Sequence, residues 1–163
     1  MPTYSWWIDE PRVMASSNPS DEDLARLRAQ GFSVVVSLLD EKAQPPRYDK
    51  KAAALAGWVI WSVPVGEGGA PSLDQLSELT ARMRALPEGT KVLVHCESGL
   101  GRSAFLGAVY WVAKGLPASE AVARVRPPGL GADWLTPQRE KLLSEYARIQ
   151  PGAVTKEAGK PSA

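Results

Sequence analysis

Hydrophobic and polar positions alternate along the chain in blocks that change period, and the changes mark the elements. Residues FSVVVSLL from Phe32 form an unbroken, β-branched run, the pattern of a strand buried on both faces. Before it, Ser20, the acids of DEDLARLRAQ and Gly31 predict a capped helix, with Ser20 at the N-cap and Gly31 at the stop. After it, DEKAQPPRYD is a charged, proline-interrupted loop, KKAAALA a short helix ended by Gly57, and WVIWSVPV a second apolar strand. Following the loop GEGGAPS, Ser72 and Gln75 make a capping box for a helix that buries Leu73, Leu76, Leu79 and Met83 and ends near Pro87.

The second half repeats this rhythm. KVLVH predicts a third short strand, CESGLG a loop, and RSAFLGAVYWVAK a helix so apolar all round that it belongs in the centre of the molecule. ASEAVARVR is another helix, and Thr136 with Pro137 starts the last one, PQREKLLSEYARI. SWWI and RVMA near the start predict a small strand pair. The expected fold class is α/β, with a central, mostly parallel sheet of four or five strands and helices on both faces. Ligands of such sheets sit beyond the carboxyl ends of the strands. The length of 163 residues fits one domain, residues 1–150; the polar, Gly- and Pro-containing tail, 151–163, is expected to be disordered.

Composition narrows the function. A formal charge of +1 supplies no global field for nucleic acid or anionic membrane, so neither is an expected partner. The start, MPTYSWWIDE, has neither the basic nor the apolar stretch of a leader, and a cytoplasmic monomer is expected. One cysteine, Cys96, and one histidine, His95, are too few for a disulfide framework or an ordinary structural zinc site. No metal or cofactor is expected.

Those two scarce residues are neighbours at the end of a predicted strand. VLVHCESGLGRSAFLG places Arg102 six positions after Cys96, then Ser103 and a long helix. Gly99 and Gly101 allow the backbone N–H groups of the loop to converge on one point. Such donors at a helix N-terminus bind an anion, and Arg102 adds a planar fork suited to two phosphate oxygens. The same positive surroundings favour a thiolate, so one loop supplies both a nucleophile and a phosphate clamp.

VHCESGLGRS resembles the signature loop of cysteine-dependent protein tyrosine and dual-specificity phosphatases. The order of SWWI, FSVVVSLLDE, VPVGEGGAPS and the late RPPG with Gln138 is similar to that of small atypical dual-specificity members, including prokaryotic ones, over roughly residues 5–149. The resemblance implies attack by Cys96 on phosphorus, with Arg102 on the equatorial oxygens and a cysteinyl-phosphate intermediate. It also implies that Ser103 assists departure of the sulfur and that His95 holds the loop. The phosphate would lie among Glu97, Ser98, Gly99, Leu100, Gly101 and Arg102.

The family's usual aspartic general acid is replaced by Glu67, which is chemically competent if the glycines around it set the loop back. The alternative for Glu67 is a solvated loop carboxylate. Asp74 is better explained as a first-turn helix acid, and Asp40 as a residue at the site's edge. Gln138 matches the glutamine that positions the hydrolytic water, with Asp133 nearby to assist. Trp134 either stacks on an aryl phosphate or simply packs.

The expected function is hydrolysis of phosphotyrosine, with phosphoserine or phosphothreonine as further possibilities, in a phosphorylated protein. The alternatives are a non-protein phosphomonoester (inositol phosphate, phospholipid or nucleotide end) and a phosphate-binding pseudophosphatase. A loop without Lys or Arg between Cys96 and Arg102 argues against polyphosphorylated substrates.

Overall fold

The computed structural model describes residues 4–151. A five-stranded sheet runs in the order β1 (Ser5–Asp9), β2 (Val13–Ser16), β5 (Lys91–His95), β3 (Phe32–Ser37), β4 (Val59–Ser62). β1 and β2 form the expected antiparallel pair, and every other pairing is parallel. The α/β class and the five-stranded sheet agree with the sequence pattern.

Six helices complete the fold: α1 (Asp21–Ala29), α2 (Lys50–Leu55), α3 (Leu73–Arg84), α4 (Gly101–Ala113), α5 (Ala118–Arg124) and α6 (Pro137–Arg148). The N-caps fall where the polar signals put them. Ser20 and Ser72 each form a full capping box, with Asp23 and Gln75 respectively, and the Thr136 side chain accepts from the Arg139 N–H. Among the described residues no helix is long and apolar enough to cross a membrane. The predicted tail lies, apart from Pro151, outside the described residues.

Strand alternation sorts the core into two faces. Val34, Val36, Val92 and Val94 join the cluster built with α3 to α6, whereas Phe32, Val35 and Leu93 join Leu24, Leu27, Tyr48, Ala53 and Trp58 beside α1 and α2. α4 is the central element, with ten buried residues, which explains why its sequence has no polar face. Trp134 belongs to the larger cluster and is 2% exposed, so it packs rather than offering a stacking surface.

The parallel register aligns the strand ends. Ser16 pairs with His95, His95 with Ser37, and Ser37 with Ser62. The segments that follow these residues, 17–20, 38–49, 63–72 and 96–100, therefore leave the sheet along one edge, where the site forms.

Candidate active site

The site begins with the alternation of β5. His95 turns toward the α1 and α2 face and meets Tyr48, while Cys96, one residue on, turns toward α4. Cys96 is 1% exposed, and its Sγ accepts two hydrogen bonds: 3.3 Å from the Gly99 N–H and 3.1 Å from the Ser103 hydroxyl. Both donors stabilise negative charge on sulfur.

Gly99 is the turning point of the loop. Its φ is +81°, and a Cβ there would sit 2.5 Å from the Ser17 nitrogen and 2.6 Å from the Ser16 carbonyl carbon. Only glycine fits both the angle and the space. Its carbonyl accepts from the Trp6 indole at 2.8 Å, so the first strand of the chain fixes the orientation of this peptide.

Arg102 lies in the first turn of α4 and is buried. Its guanidinium donates to the Val65 carbonyl and to Gln44 Oε1, each at 2.8 Å. Those bonds tie the Cys96–Arg102 loop to the segments following β4 and β3. Gln44 sits in the charged, proline-rich loop, and no spacing rule links it to a residue 58 positions away.

The segment after Val65 forms a β-turn. Gly69 donates to the Gly66 carbonyl at 2.9 Å, which places Glu67 second in the turn and Gly68, with φ +78°, third. Glu67 is exposed at the tip, and its carboxylate has no hydrogen-bond or ion-pair partner among the described residues. Arg102 grips the residue before this turn. Arg139 grips its end, donating from Nε to the Gly69 carbonyl at 3.1 Å.

Arg139, like Gln44 and Asn18, is a residue that sequence reasoning missed. It is 4% exposed in the first turn of α6, donates from Nη1 to the Trp134 carbonyl at 2.8 Å, and lies 3.3 Å from where a Cβ on Gly101 would stand. A signal was present. A cation in a helix's first turn opposes the macrodipole, so such an arginine needs another reason to be there.

Gln138 and Asp133, by contrast, are exposed, and neither side chain bonds to the loop. Glu97 turns aside: its Oε1 accepts from Asn18 Nδ2 at 2.9 Å and its carbonyl accepts from the Asn18 N–H. Asn18 also donates to the Pro45 carbonyl and accepts from the Arg47 N–H, so it joins three of the four converging loops. Ser98 is exposed, its hydroxyl accepting from the Leu100 N–H, and Leu100 caps α4 without a side-chain bond. Asp40 is half-buried after β3, and Asp74 is exposed in the first turn of α3.

His95 is fully buried. The Cys96 carbonyl can only accept, so Nδ1 carries the hydrogen at 3.3 Å and Nε2 accepts from the Tyr48 hydroxyl at 2.8 Å. Burial pushes its pKa down to about 4, the bond to the Cys96 carbonyl opposing and the charge of Arg102 adding to the fall. The ring is therefore neutral at physiological pH. Among the described residues no three His, Cys, Asp or Glu side chains gather as metal ligands.

The arrangement is a thiol with two hydrogen-bond donors, a buried arginine and a pinned turn carrying an exposed carboxylate, around the loop of residues 96–102. Residues 11–116 match the family model described as Tc-R-P, polymorphic toxin system, DSP-PTPase phosphatase. Mouse protein tyrosine phosphatase type IVA 3 is 30% identical over 129 residues, covering 74% of this chain and 71% of the relative. Mouse protein tyrosine phosphatase domain-containing protein 1 is also 30% identical over 142 residues, but this chain spans only 19% of its length. Among solved structures, the active form of Tk-PTP superposes with a TM-score of 0.75 at 32% identity, covering 90% of this chain and 98% of that one. PTPMT1 in complex with PI(5)P shares the fold, with a TM-score of 0.77 at 22% identity over 95% of this chain and 99% of that one. Matched along most of its length by sequence and by fold, the chain belongs to the DSP-PTPase family of phosphatases.

Proposed function

We propose that the chain hydrolyses phosphotyrosine in proteins through a cysteinyl-phosphate, within a single catalytic domain spanning residues 1–150. The observation that carries this reading is the pair of hydrogen bonds from Gly99 and Ser103 to the Cys96 sulfur. They favour thiolate as the resting nucleophile and as the leaving group of the second step.

In the first step the thiolate attacks phosphorus and the phosphorus–oxygen ester bond breaks. Glu67 gives its proton to the departing oxygen, which leaves as the alcohol or phenol. Arg102 and the backbone donors of residues 97–102 hold the remaining oxygens as charge redistributes over them. In the second step Glu67, now a carboxylate, takes a proton from water as the water oxygen attacks phosphorus. The sulfur–phosphorus bond breaks, thiolate returns with the Ser103 hydroxyl bonded to it, and inorganic phosphate leaves. His95, neutral and bonded on both nitrogens, holds the backbone of the loop and transfers no proton.

A phosphotyrosyl substrate is favoured because residues 97–101 carry no cation for a second phosphate and the Glu97 carboxylate is engaged by Asn18. The deciding experiment measures chelator-resistant turnover of p-nitrophenyl phosphate by wild type and Cys96→Ser, then turnover of a phosphotyrosyl peptide, a phosphoseryl peptide and PI(5)P. Cys96-dependent turnover with preference for the phosphotyrosyl peptide is expected. Preference for the phosphoinositide would overturn the substrate assignment, and vanadate binding without turnover would make the protein a phosphate reader.

A further inference from the structure

Two arginines are buried at this edge of the sheet, and both occupy the first turn of a helix, Arg102 in α4 and Arg139 in α6. Neither has a carboxylate partner among the described residues; both donate to neutral oxygens. A buried guanidinium in a helix's first turn is unfavourable on both counts, through desolvation and through the dipole. Arg102 is accounted for by the phosphate it would hold. Arg139 lies outside the C-x5-R segment and outside residues 11–116, the segment matched by the family model.

Its bonds explain its place. The two carbonyls it engages belong to Gly69, which closes the Glu67 turn, and Trp134, which is locked in the core. The missing side chain at Gly101 leaves room for the guanidinium against the start of α4. Arg139 thus spans from a rigid anchor to the end of the turn whose beginning Arg102 holds. We infer that Arg139 is a positioning residue of the reaction, fixing Glu67 over the phosphate loop by clamping the Gly66–Gly69 turn. The inference rests on the assignment of Glu67 as general acid. Electrostatics agree with this placement: burial lowers the affinity of Arg139 for its proton, charge on Cys96 restores part of it, and Arg102 lowers it further.

The test is a double-mutant cycle of Arg139→Met and Glu67→Gln, read as kcat/KM, which reports the steps through loss of the leaving group, on phenyl phosphate, whose leaving oxygen needs a proton, and on p-nitrophenyl phosphate, whose oxygen scarcely does. Arg139→Met is expected to lower kcat/KM on phenyl phosphate by about tenfold or more, with a much smaller loss on p-nitrophenyl phosphate. In the Glu67→Gln background the same substitution should have no further effect on phenyl phosphate. Equal losses on both esters, or full additivity with Glu67→Gln, would overturn the inference. Arg139→Lys keeps the charge but cannot span both carbonyls, which guards against misfolding of the Met variant. It should show the same leaving-group-selective loss in smaller degree, and a wild-type profile on both esters would overturn the inference. Failure of the phosphatase reading would look different, as wild-type turnover that survives Cys96→Ser. Failure of the acid assignment alone would appear as Glu67→Gln losing equally on both esters.

Discussion

The Tyr48 hydroxyl donates to Nε2 of His95 at 2.8 Å, across the sheet from the thiol that His95 precedes. The phenol's own pKa is pushed up to about 12, chiefly by burial, so it remains a donor throughout the working range. Because His95 is the chain's one histidine, no other imidazole titrates in this window. Its folded pKa, about 4, lies below the ordinary 6.5, so between those values the unfolded chain binds a proton that the folded chain refuses. Stability is full above pH 6.5 and falls as pH drops toward 4, by about 3 kcal/mol from this group. Urea unfolding across this window should show the slope in wild type and a flattened one in His95→Gln. Equal slopes would mean that the ring is not held neutral.

Gly99→Ala should abolish the site while leaving most of the fold. The new methyl would meet Ser16 and Ser17 backbone within 2.6 Å at a φ of +81°, a strain of roughly 1 to 3 kcal/mol. Loss of vanadate binding in a protein that still melts cooperatively is the expected pattern, and retained binding would count against the loop geometry.

Ser103→Ala removes the 3.1 Å hydroxyl bond to sulfur. The second step, in which sulfur departs, should slow on the order of 100-fold, so that a rapid burst of phenol precedes a slow steady state. A uniform slowing without a burst would assign the hydroxyl to the first step instead.

Gln44→Ala leaves Arg102 Nη2 without its acceptor. Loss of one such hydrogen bond is worth about 1 kcal/mol, and KM for phosphate esters should rise roughly fivefold with a smaller change in kcat. An unchanged KM would show that Val65 alone suffices to aim the fork.

The parts of this site that were legible in the sequence are those made by neighbours in the chain. Cys96, the glycines, Arg102 and Ser103 lie on one strand-loop-helix unit, so spacing alone brings the thiol, the arginine and the hydroxyl to one loop. Ser20, Ser72 and Thr136 marked helix starts because capping is local chemistry. Asn18, Gln44 and Arg139 were not legible, because their roles depend on which loops the sheet order places side by side. β3 and β2 flank β5, which brings residues 18 and 44 to residue 97 and Arg102, and nothing in the local pattern reveals that order. Glu67 stands between these cases. Its glycines predicted a loop free to set back, whereas the turn it forms and the two arginines that hold it are seen only in three dimensions.

The bond from Trp6 to Gly99 joins the Cys96 loop to β1, and the bond from Arg139 to Gly69 joins the Glu67 turn to α6, the first and last elements among the described residues. A chain cut or still being synthesised ahead of α6 carries Cys96, Arg102 and Ser103 yet has no clamp on the Glu67 turn. The Glu67 turn is therefore braced only once α6 has docked. A fragment ending before α6 would keep Cys96 and its two hydrogen-bond donors while the proposed proton donor, Glu67, stood on an unclamped turn.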